Sequence, residues 1–488
     1  MNGIRITGAT VYSEAALVGV SGFQPGNELS LSELRGLTTQ IADLYHRDGY
    51  ILAQAYLPAQ DIEQGVVTIA VMEGMLGQTE VRNQSRLSNR VIQSRIEEIR
   101  VGEVVSIEPL ESSLLLLSDL PGVNVTSTLT PGATPGTSDL IVDVTPGRQI
   151  TGSIDADNGG NRYTGEYRAG ATVNFNNLLG LGDVASVRGV TAGSGLNYGR
   201  LAYQLPVGKA TMGVAYSRLA YELGKEFRSL DVHGTAEIAS MYGSYPLIRS
   251  RNTNLYAQLA YDHKILDDRI GSASDDKTVD VLTASLLGDR RDRFGGGGLS
   301  AFTLSVSTGR LDLQTPETRR WDAVTAQSHG QFNKLGFSAM RLQSVTSSVS
   351  IYGSIRGQVA SKNLDVSEKF SIGGMDGIRA YPEGEAYGDA GYLATLEARW
   401  RLPQFAPGQT GQLELIGFVE TATITRNKNR WAAGEDRRTL SGTGVGVNWY
   451  DHDNFAVKLA YAHKLGSAEA SSAPDKSGRF WVQLVKYF

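Results

Sequence analysis

The sequence predicts a membrane all-β fold: an antiparallel transmembrane β-barrel of about 16 strands preceded by two small α+β domains. Three observations predict it. Residues 148–488 alternate apolar and polar side chains over long segments. Residues 1–147 instead show helical spacing, and their order of strand and helix signals occurs twice. Aromatic residues gather near the ends of the alternating segments, although no apolar run reaches the roughly 18 residues that a membrane helix needs.

Composition sets the frame. A chain of 488 residues is too long for one small domain. Its 46 Lys and Arg against 51 Asp and Glu leave a formal net charge of -5, without the basic excess of a nucleic-acid footprint. The Cys count of 0 excludes a disulfide framework and thiolate metal ligands, and suits an oxidising compartment. The longest aliphatic cluster, Leu114–Leu117, is far too short for a membrane helix. The chain opens with MNGIRITGATVYS, a strand rather than an export leader. A membrane barrel must be exported, so the numbering is expected to begin after a removed signal.

The first repeat is placed at 1–76. IRITGATVYS is a strand candidate. Leu34, Leu37, Ile41 and Leu44 follow Ser30 and Ser32 at helical spacing, and Gly49 ends that helix. YILAQAYLP and VVTIAVMEG follow as strands. The second repeat, 77–147, begins near TEVRN. Val91, Ile92, Arg95, Ile96 and Ile99 suit one helix, while Pro109 opens another that Pro121 and Gly122 stop. VNVTSTLTP and DLIVDVTPG close it as strands. The order strand, helix, helix, strand, strand thus repeats after roughly 70 residues.

The barrel is placed at 148–488. In NFAVKLAYAHKL, Phe455, Val457, Leu459 and Tyr461 point one way, and Ala456, Lys458, Ala460 and Ala462 the other. Val445, Val447 and Trp449 share a face, as do Leu255, Ala257, Leu259 and Tyr261. In YLATLEARW, Tyr392, Leu396 and Trp400 oppose Glu397 and Arg399. A soluble sandwich would alternate too. Long strands, aromatic ends and a polar or small-residue second face favour a barrel with a wet lumen. Tight turns such as YDHDN alternate with long polar ones such as NKNRWAAGEDRRT, as short periplasmic turns and long outer loops do. Some 340 residues at about 20 per strand and connection give about 16 strands. The last strand, GRFWVQLVKYF, carries Phe480, Val482 and Leu484 on one face and ends on Phe488, the form of a C-terminal barrel-assembly signal; Lys486 interrupts the pattern.

One segment does not alternate. Residues 373–391 read GGMDGIRAYPEGEAYGDAG, with six glycines and one arginine, Arg379. A long loop folded into a lumen needs an anchor, and a guanidinium offers two charge-assisted bonds to a carboxylate. In LELIGFVETAT, Glu414, Ile416, Phe418 and Glu420 share one parity, an interior face able to pack on a loop tip and meet its charge. The alternative is an exposed loop with a solvated Arg379.

Two α+β repeats followed by such a barrel resemble the Omp85 superfamily, and more narrowly the two-partner secretion transporters, the TpsB family of haemolysin activator and filamentous haemagglutinin transporter type. The resemblance covers nearly the whole chain. It implies that the repeats are polypeptide-transport-associated (POTRA) domains, with VVTIAVMEG closing the first, and that residues 373–390 belong to an in-folded sixth loop. The family's loop tip is an Arg-Gly-aromatic sequence after Gly-Gly. Gly373, Gly374, Arg379 and Tyr381 match, and Ala380 stands where the family has glycine. The family's wall partner is Phe-x-Asp, matched by Phe418 and Glu420 with Glu for Asp.

The resemblance implies an outer-membrane translocator. Its POTRA domains would recognise a large secreted exoprotein of the TpsA type (adhesin, cytolysin or toxin) in the periplasm, and the barrel would pass it unfolded to the cell surface. Folding outside would supply the pull. The other implied partners are outer-membrane lipid and the barrel-assembly machinery that inserts the chain. Nucleic acid is not a partner, and no cofactor, catalytic residue or metal site is expected. Tyr50, Ile51, Leu52, Ala53, Gln54, Ala55, Tyr56 and Leu57 form the candidate edge strand that would add a strand of the exoprotein, because Pro58 ends it and edges tolerate proline. A core strand is the competing reading.

The six histidines lack close ligand spacing. GVSGF, from Gly19, lacks the nucleophile-elbow spacing and is placed before the first helix. Gly295–Gly298 have no following Lys-Ser/Thr and read as a turn, and DRRDR before them as a solvated or lumen-rim charge cluster. Three rival functions remain: a factor inserting barrel proteins, whose type carries more repeats; a passive porin, which needs no binding domains; and a barrel-embedded enzyme, for which no constellation is in view.

Overall fold

The computed structural model describes residues 1–404 and 408–488. They form two compact units, Met1–Gly147 with Arg249–Arg251, and Arg148–Ile248 with Asn252–Phe488.

In the first unit, each repeat is a three-stranded sheet with two helices. The first comprises β1 (Gly3–Thr7), α1 (Glu14–Ser21), α2 (Leu31–Arg47), β2 (Gln54–Tyr56) and β3 (Val66–Met72), in sheet order β1-β3-β2. β3 is central, so Ile69 and Val71 are buried against Leu17, Ile41 and Tyr45 of the helices, and Val67 is buried as well. A capping box starts α2: Ser30 Oγ accepts the Glu33 amide, and the Glu33 carboxylate accepts the Ser30 amide. The helix α1 escapes the periodicity argument because EAALVGVS is apolar on most faces; Gly19 lies inside it, not before the first helix.

Beside this core sits the buried Glu73. Its carboxylate accepts from the Tyr45 hydroxyl at 2.7 Å, the backbone amides of Thr10 and Val11 at 2.7 and 2.8 Å, and the Thr10 hydroxyl. Burial alone would raise its pKa, but these bonds outweigh it and hold the carboxyl below its ordinary value.

The second repeat comprises β4 (Met75–Asn83), α3 (Asn89–Ile96), α4 (Ile107–Ser118), β5 (Val123–Pro131) and β6 (Thr137–Pro146), in order β4-β6-β5. Its first strand begins at Met75, so the boundary placed between 76 and 77 falls within β4. Leu140, Val142 and Val144 of the central β6 pack on Ile92, Leu110 and Leu117.

The second unit is a closed barrel of 16 strands. They are β7 (Ile150–Asp157), β8 (Arg168–Asn176), β9 (Val184–Thr191), β10 (Leu196–Val207), β11 (Ala210–Glu222), β12 (Val232–Arg249), β13 (Thr253–Ile270), β14 (Ala273–Asp292), β15 (Gly298–Leu313), β16 (Gly330–Ser344) and β17 (Val349–Ala360). After the two-residue strands β18 (Phe370–Ser371) and β19 (Tyr387–Gly388), which pair with each other, come β20 (Ala390–Arg401), β21 (Gln412–Thr425), β22 (Arg437–Asp451), β23 (Phe455–Lys464) and β24 (Gly478–Tyr487). One helix, α5 (Pro316–Val324), lies in the loop between β15 and β16.

The alternation becomes two faces. Leu201, Met241, Leu259, Leu396, Val445 and Phe480 are exposed on the outside, as a lipid-facing belt requires. Serine, threonine, glycine and charged residues take the inner positions. β24 closes the ring on β7, from Gln483↔Asp157 to Tyr487↔Ser153. Gly295, Gly296 and Gly297, all at positive φ, make the turn from β14 to β15, and Asp292 of DRRDR pairs with Arg341 at 2.8 Å.

Candidate functional site

The sixth connection on the side opposite the chain's entry into the barrel joins β17 to β20 and folds inward. β18 and β19 zip its neck. Beyond them Ile372, Ile378, Ala380 and Tyr381 are fully buried, packed with Leu393, Ile416, Phe418, Ala422, Ile424 and Leu440 of the wall. The double glycine permits this fold. A Cβ on Gly373 would lie 2.4 Å from the Pro382 carbonyl oxygen, and Gly374, at φ +93, leaves its Cβ space to the Glu383 carboxylate.

Arg379 sits at the tip with only 12% of its side chain exposed. Its Nε donates to Glu420 Oε1 at 2.7 Å, and its own backbone amide donates to Glu420 Oε2 at 2.9 Å. Its Nη2 reaches a second acid, Glu397 Oε1 at 2.8 Å, whose other oxygen accepts from Arg399 at 2.7 Å. The guanidinium carbon lies 3.4 Å from the centre of the Phe418 ring, a cation–π stack. Trp481 Nε1 donates to the Arg379 carbonyl at 2.7 Å. Phe418 and Glu420, two apart on β21, therefore meet one residue by face and by charge. Glu414, on the same inner face, accepts from Asn448 at 3.2 Å instead.

Ala380 stays outside the left-handed φ region, so an alanine is accommodated there. Its methyl lies over Gly442 of β22, where an added Cβ would approach to 2.7 Å. Tyr381 donates to the Ala468 carbonyl at 2.9 Å, and the Lys464 ammonium stands 4.7 Å from its ring centre. Further along, Glu385 accepts from Arg438 and from the Ser471 and Ser472 amides, the latter at 2.8 and 3.0 Å.

Sequence reasoning missed the other end of this loop. Before the neck, Glu368 pairs with Lys264 of β13 and Lys334 of β16, each at 2.6 Å. Asp365 pairs at 3.0 Å with Lys277 of β14, which also meets Asp268 at 3.1 Å. The loop thus touches well-separated stretches of wall and crosses the lumen. Inward parity on β13, β14 and β16 was the available signal for the lysines, but nothing in the sequence pairs them with residues about 30–100 positions away. A cavity of ≈ 580 Å³ is lined by Met375, Asp376 and Arg379 of the loop and by Tyr352, Arg399 and Lys458 of the wall.

The candidate edge strand of the first repeat needs correction. Only Gln54, Ala55 and Tyr56 form β2, at the sheet edge beside β3. Tyr50, Ile51, Leu52 and Ala53 turn, because Gly49 takes φ +92 after α2 and the Ala53 amide bonds back to the Tyr50 carbonyl at 3.1 Å. Ala53 is buried, and Leu57 lies beyond the strand. Phe488 extends the barrel seam: its amide donates to Gly152 at 3.1 Å, and its ring covers that glycine. Lys486, which interrupts the apolar face, bonds Asn454 in the neighbouring tight turn. Among the described residues no group of His, Asp or Glu is arranged to hold a metal ion.

The family model described as haemolysin secretion/activation protein ShlB/FhaC/HecB matches residues 136–449, and that of the ShlB-type POTRA domain matches residues 1–74. The heme/hemopexin transporter protein HuxB of Haemophilus influenzae is 29% identical over 471 residues, 95% of this chain and 82% of that protein. The outer membrane transporter CdiB of Dickeya dadantii is 25% identical over 438 residues, 86% of this chain and 74% of that protein. A solved structure of CdiB from Escherichia coli has a similar fold, with a TM-score of 0.80 at 21% identity, covering 100% of this chain and 90% of that one.

Proposed function

Because the chain belongs to the haemolysin secretion/activation family of ShlB, FhaC and HecB, we propose how its own residues carry out that family's task. It is an outer-membrane translocator of two-partner secretion, with its POTRA domains in the periplasm. Its partner is a secreted exoprotein of the TpsA type.

The POTRA domains take up the exoprotein before it folds. An extended segment adds to a free sheet edge, where backbone bonds give affinity and alternate side chains give choice. In the first domain that edge is β2, with Gln54 and Tyr56 exposed beside it. The exoprotein then passes through the barrel. The observation that carries this reading is the loop across the lumen: its tip holds Arg379 against Glu420 and Glu397, and the tip docked in this way guides the extended chain along the lumen. No nucleotide is needed, because folding at the surface makes passage irreversible. Phe488 serves as the signal by which the barrel-assembly machinery inserts the chain, and lipid covers the aliphatic belt. Heme/hemopexin transport, which the name of the 29% identical relative states for that protein, marks the first class of exoprotein to test.

Deleting the chain is expected to trap one large exoprotein in the periplasm while other barrel proteins keep their abundance, read by fractionation and immunoblotting. Simultaneous depletion of many barrels would instead assign it to barrel insertion.

A further inference from the structure

We propose that the turn from β8 to β9 is a lipid anchor, its leucines seated among the acyl chains of the periplasmic leaflet. The turn reads NLLGLGD, residues 177–183. Leu178, Leu179 and Leu181 are 49%, 65% and 38% exposed. In water such a turn would be costly, and the other described turns at this end are polar or carry a single large apolar residue, such as Phe294 or Val345. Strand count gives its side. The chain enters the barrel at β7 from the POTRA domains, so the turn after β8 returns to the periplasmic end.

This turn is built rather than loose. Asp183 is fully buried and accepts from the Leu179 amide at 3.1 Å, the Leu181 amide at 3.3 Å and the Tyr203 hydroxyl at 3.1 Å. Asn177 accepts from the Gly182 amide at 2.8 Å and donates its own amide to the Asp183 carbonyl at 2.7 Å. Asn177, Gly180 and Gly182 take φ of 53, 76 and 73, which closes the turn tightly. A polar interior of this kind fixes the leucines outward instead of letting them fold back.

Continuity names the occupant. The last row of outward residues above the turn runs Ile150↔Phe175↔Ala185↔Tyr203↔Val214 around five strands. Ile150, Phe175 and Val214 are exposed on the lipid face. The leucines extend that apolar surface by one step past the end of the strands, into the depth where apolar side chains of interfacial elements lie.

The chain has no cysteine, so a single label can be placed without other changes. Leu179→Cys carrying an environment-sensitive fluorophore, in the full chain reconstituted into phospholipid vesicles, is compared with Lys209→Cys in the polar turn after β10. Retained barrel folding is checked by heat-modifiable migration. Brominated acyl chains are expected to quench the Leu179 label at least about twofold more than the Lys209 label, and aqueous iodide the reverse, given burial of some 5–10 Å into the interface. Iodide quenching equal to that at Lys209, or shielding of the Leu179 label from both quenchers, would overturn the proposal.

Discussion

The tip and the stem of the inward loop are held by opposite arrangements of charge. At the tip the loop brings the cation, Arg379, and the wall brings Glu420 and Glu397. At the stem the loop brings Asp365 and Glu368, and the wall brings Lys277, Lys264 and Lys334. Neither end can dock in the other's place without setting like charges together, so the reversal fixes the register of the loop across the lumen. The packing differs as well. Ile372, Ile378, Ala380 and Tyr381 bury the tip in apolar wall, whereas Leu364 is the buried apolar residue at the stem. Because desolvating ions costs about as much as pairing returns, the stem is held by specificity and the tip by specificity plus shape.

That contrast can be broken at both ends at once. Arg379→Ala with Glu368→Gln should release the loop and give the largest rise in single-channel conductance in planar bilayers. Each clamp is worth about 3–5 kcal/mol when broken from one side, because the partners stay buried and unpaired. Sites this far apart should add to within about 0.5 kcal/mol. A double variant no more open than either single one would mean that the two ends are not separate clamps.

Glu368→Gln alone comes next, since it strands two lysines. Replacing Glu368, Lys264 and Lys334 together with apolar residues of similar size should restore closure, as ionic clusters often tolerate. Failure of that rescue would show that the stem needs its charge for more than register.

The tip makes a subtler claim, about shape. Gly442→Ala puts a methyl within 2.7 Å of the Ala380 methyl, an overpacking worth about 1–3 kcal/mol. Ala380→Gly in the same chain should relieve it, returning conductance to the starting value. If Gly442→Ala leaves the closed state untouched, the loop tip does not rest where the distances place it.

Another buried acid, Glu73, is held by hydrogen bonds rather than by a cation and calibrates the comparison. Its pKa lies below the ordinary 4.5 in the folded domain. Its stabilisation is therefore fully present above 4.5 and lost as pH falls through the lower folded value. Tyr45→Phe removes one bond from it and should cost about 1–3 kcal/mol at neutral pH, the smallest of these effects on secretion. Thermal unfolding of the chain followed between pH 6 and about 3 would show whether the loss has that sign.

Much of this was legible in the residues. Period-two alternation identified the wall, and the shared parity of Glu414, Ile416, Phe418 and Glu420 set an interior face on which all four are buried. Glu397 stood on the polar face of its strand, but its meeting with Arg379 depends on the distance between β20 and the loop tip, which no pattern encodes. The stem lysines were hidden for the same reason: each is an ordinary inward residue until the loop arrives. In the first domain the extended reading of Tyr50–Ala53 failed because Gly49 reverses the chain before a strand can start. The helix α1 went unseen because an octet apolar on most faces has no single face to mark.

The central claim is that the arginine at the tip, docked on Glu420, is required for passage of the exoprotein. Secretion by Arg379→Ala, measured beside insertion of the same variant barrel, tests it most directly. The account predicts a fully inserted, heat-modifiable barrel whose exoprotein collects in the periplasm, with surface delivery down by at least about tenfold, the effect of roughly 1.4 kcal/mol. Surface delivery at the wild-type level from an inserted Arg379→Ala barrel would contradict it.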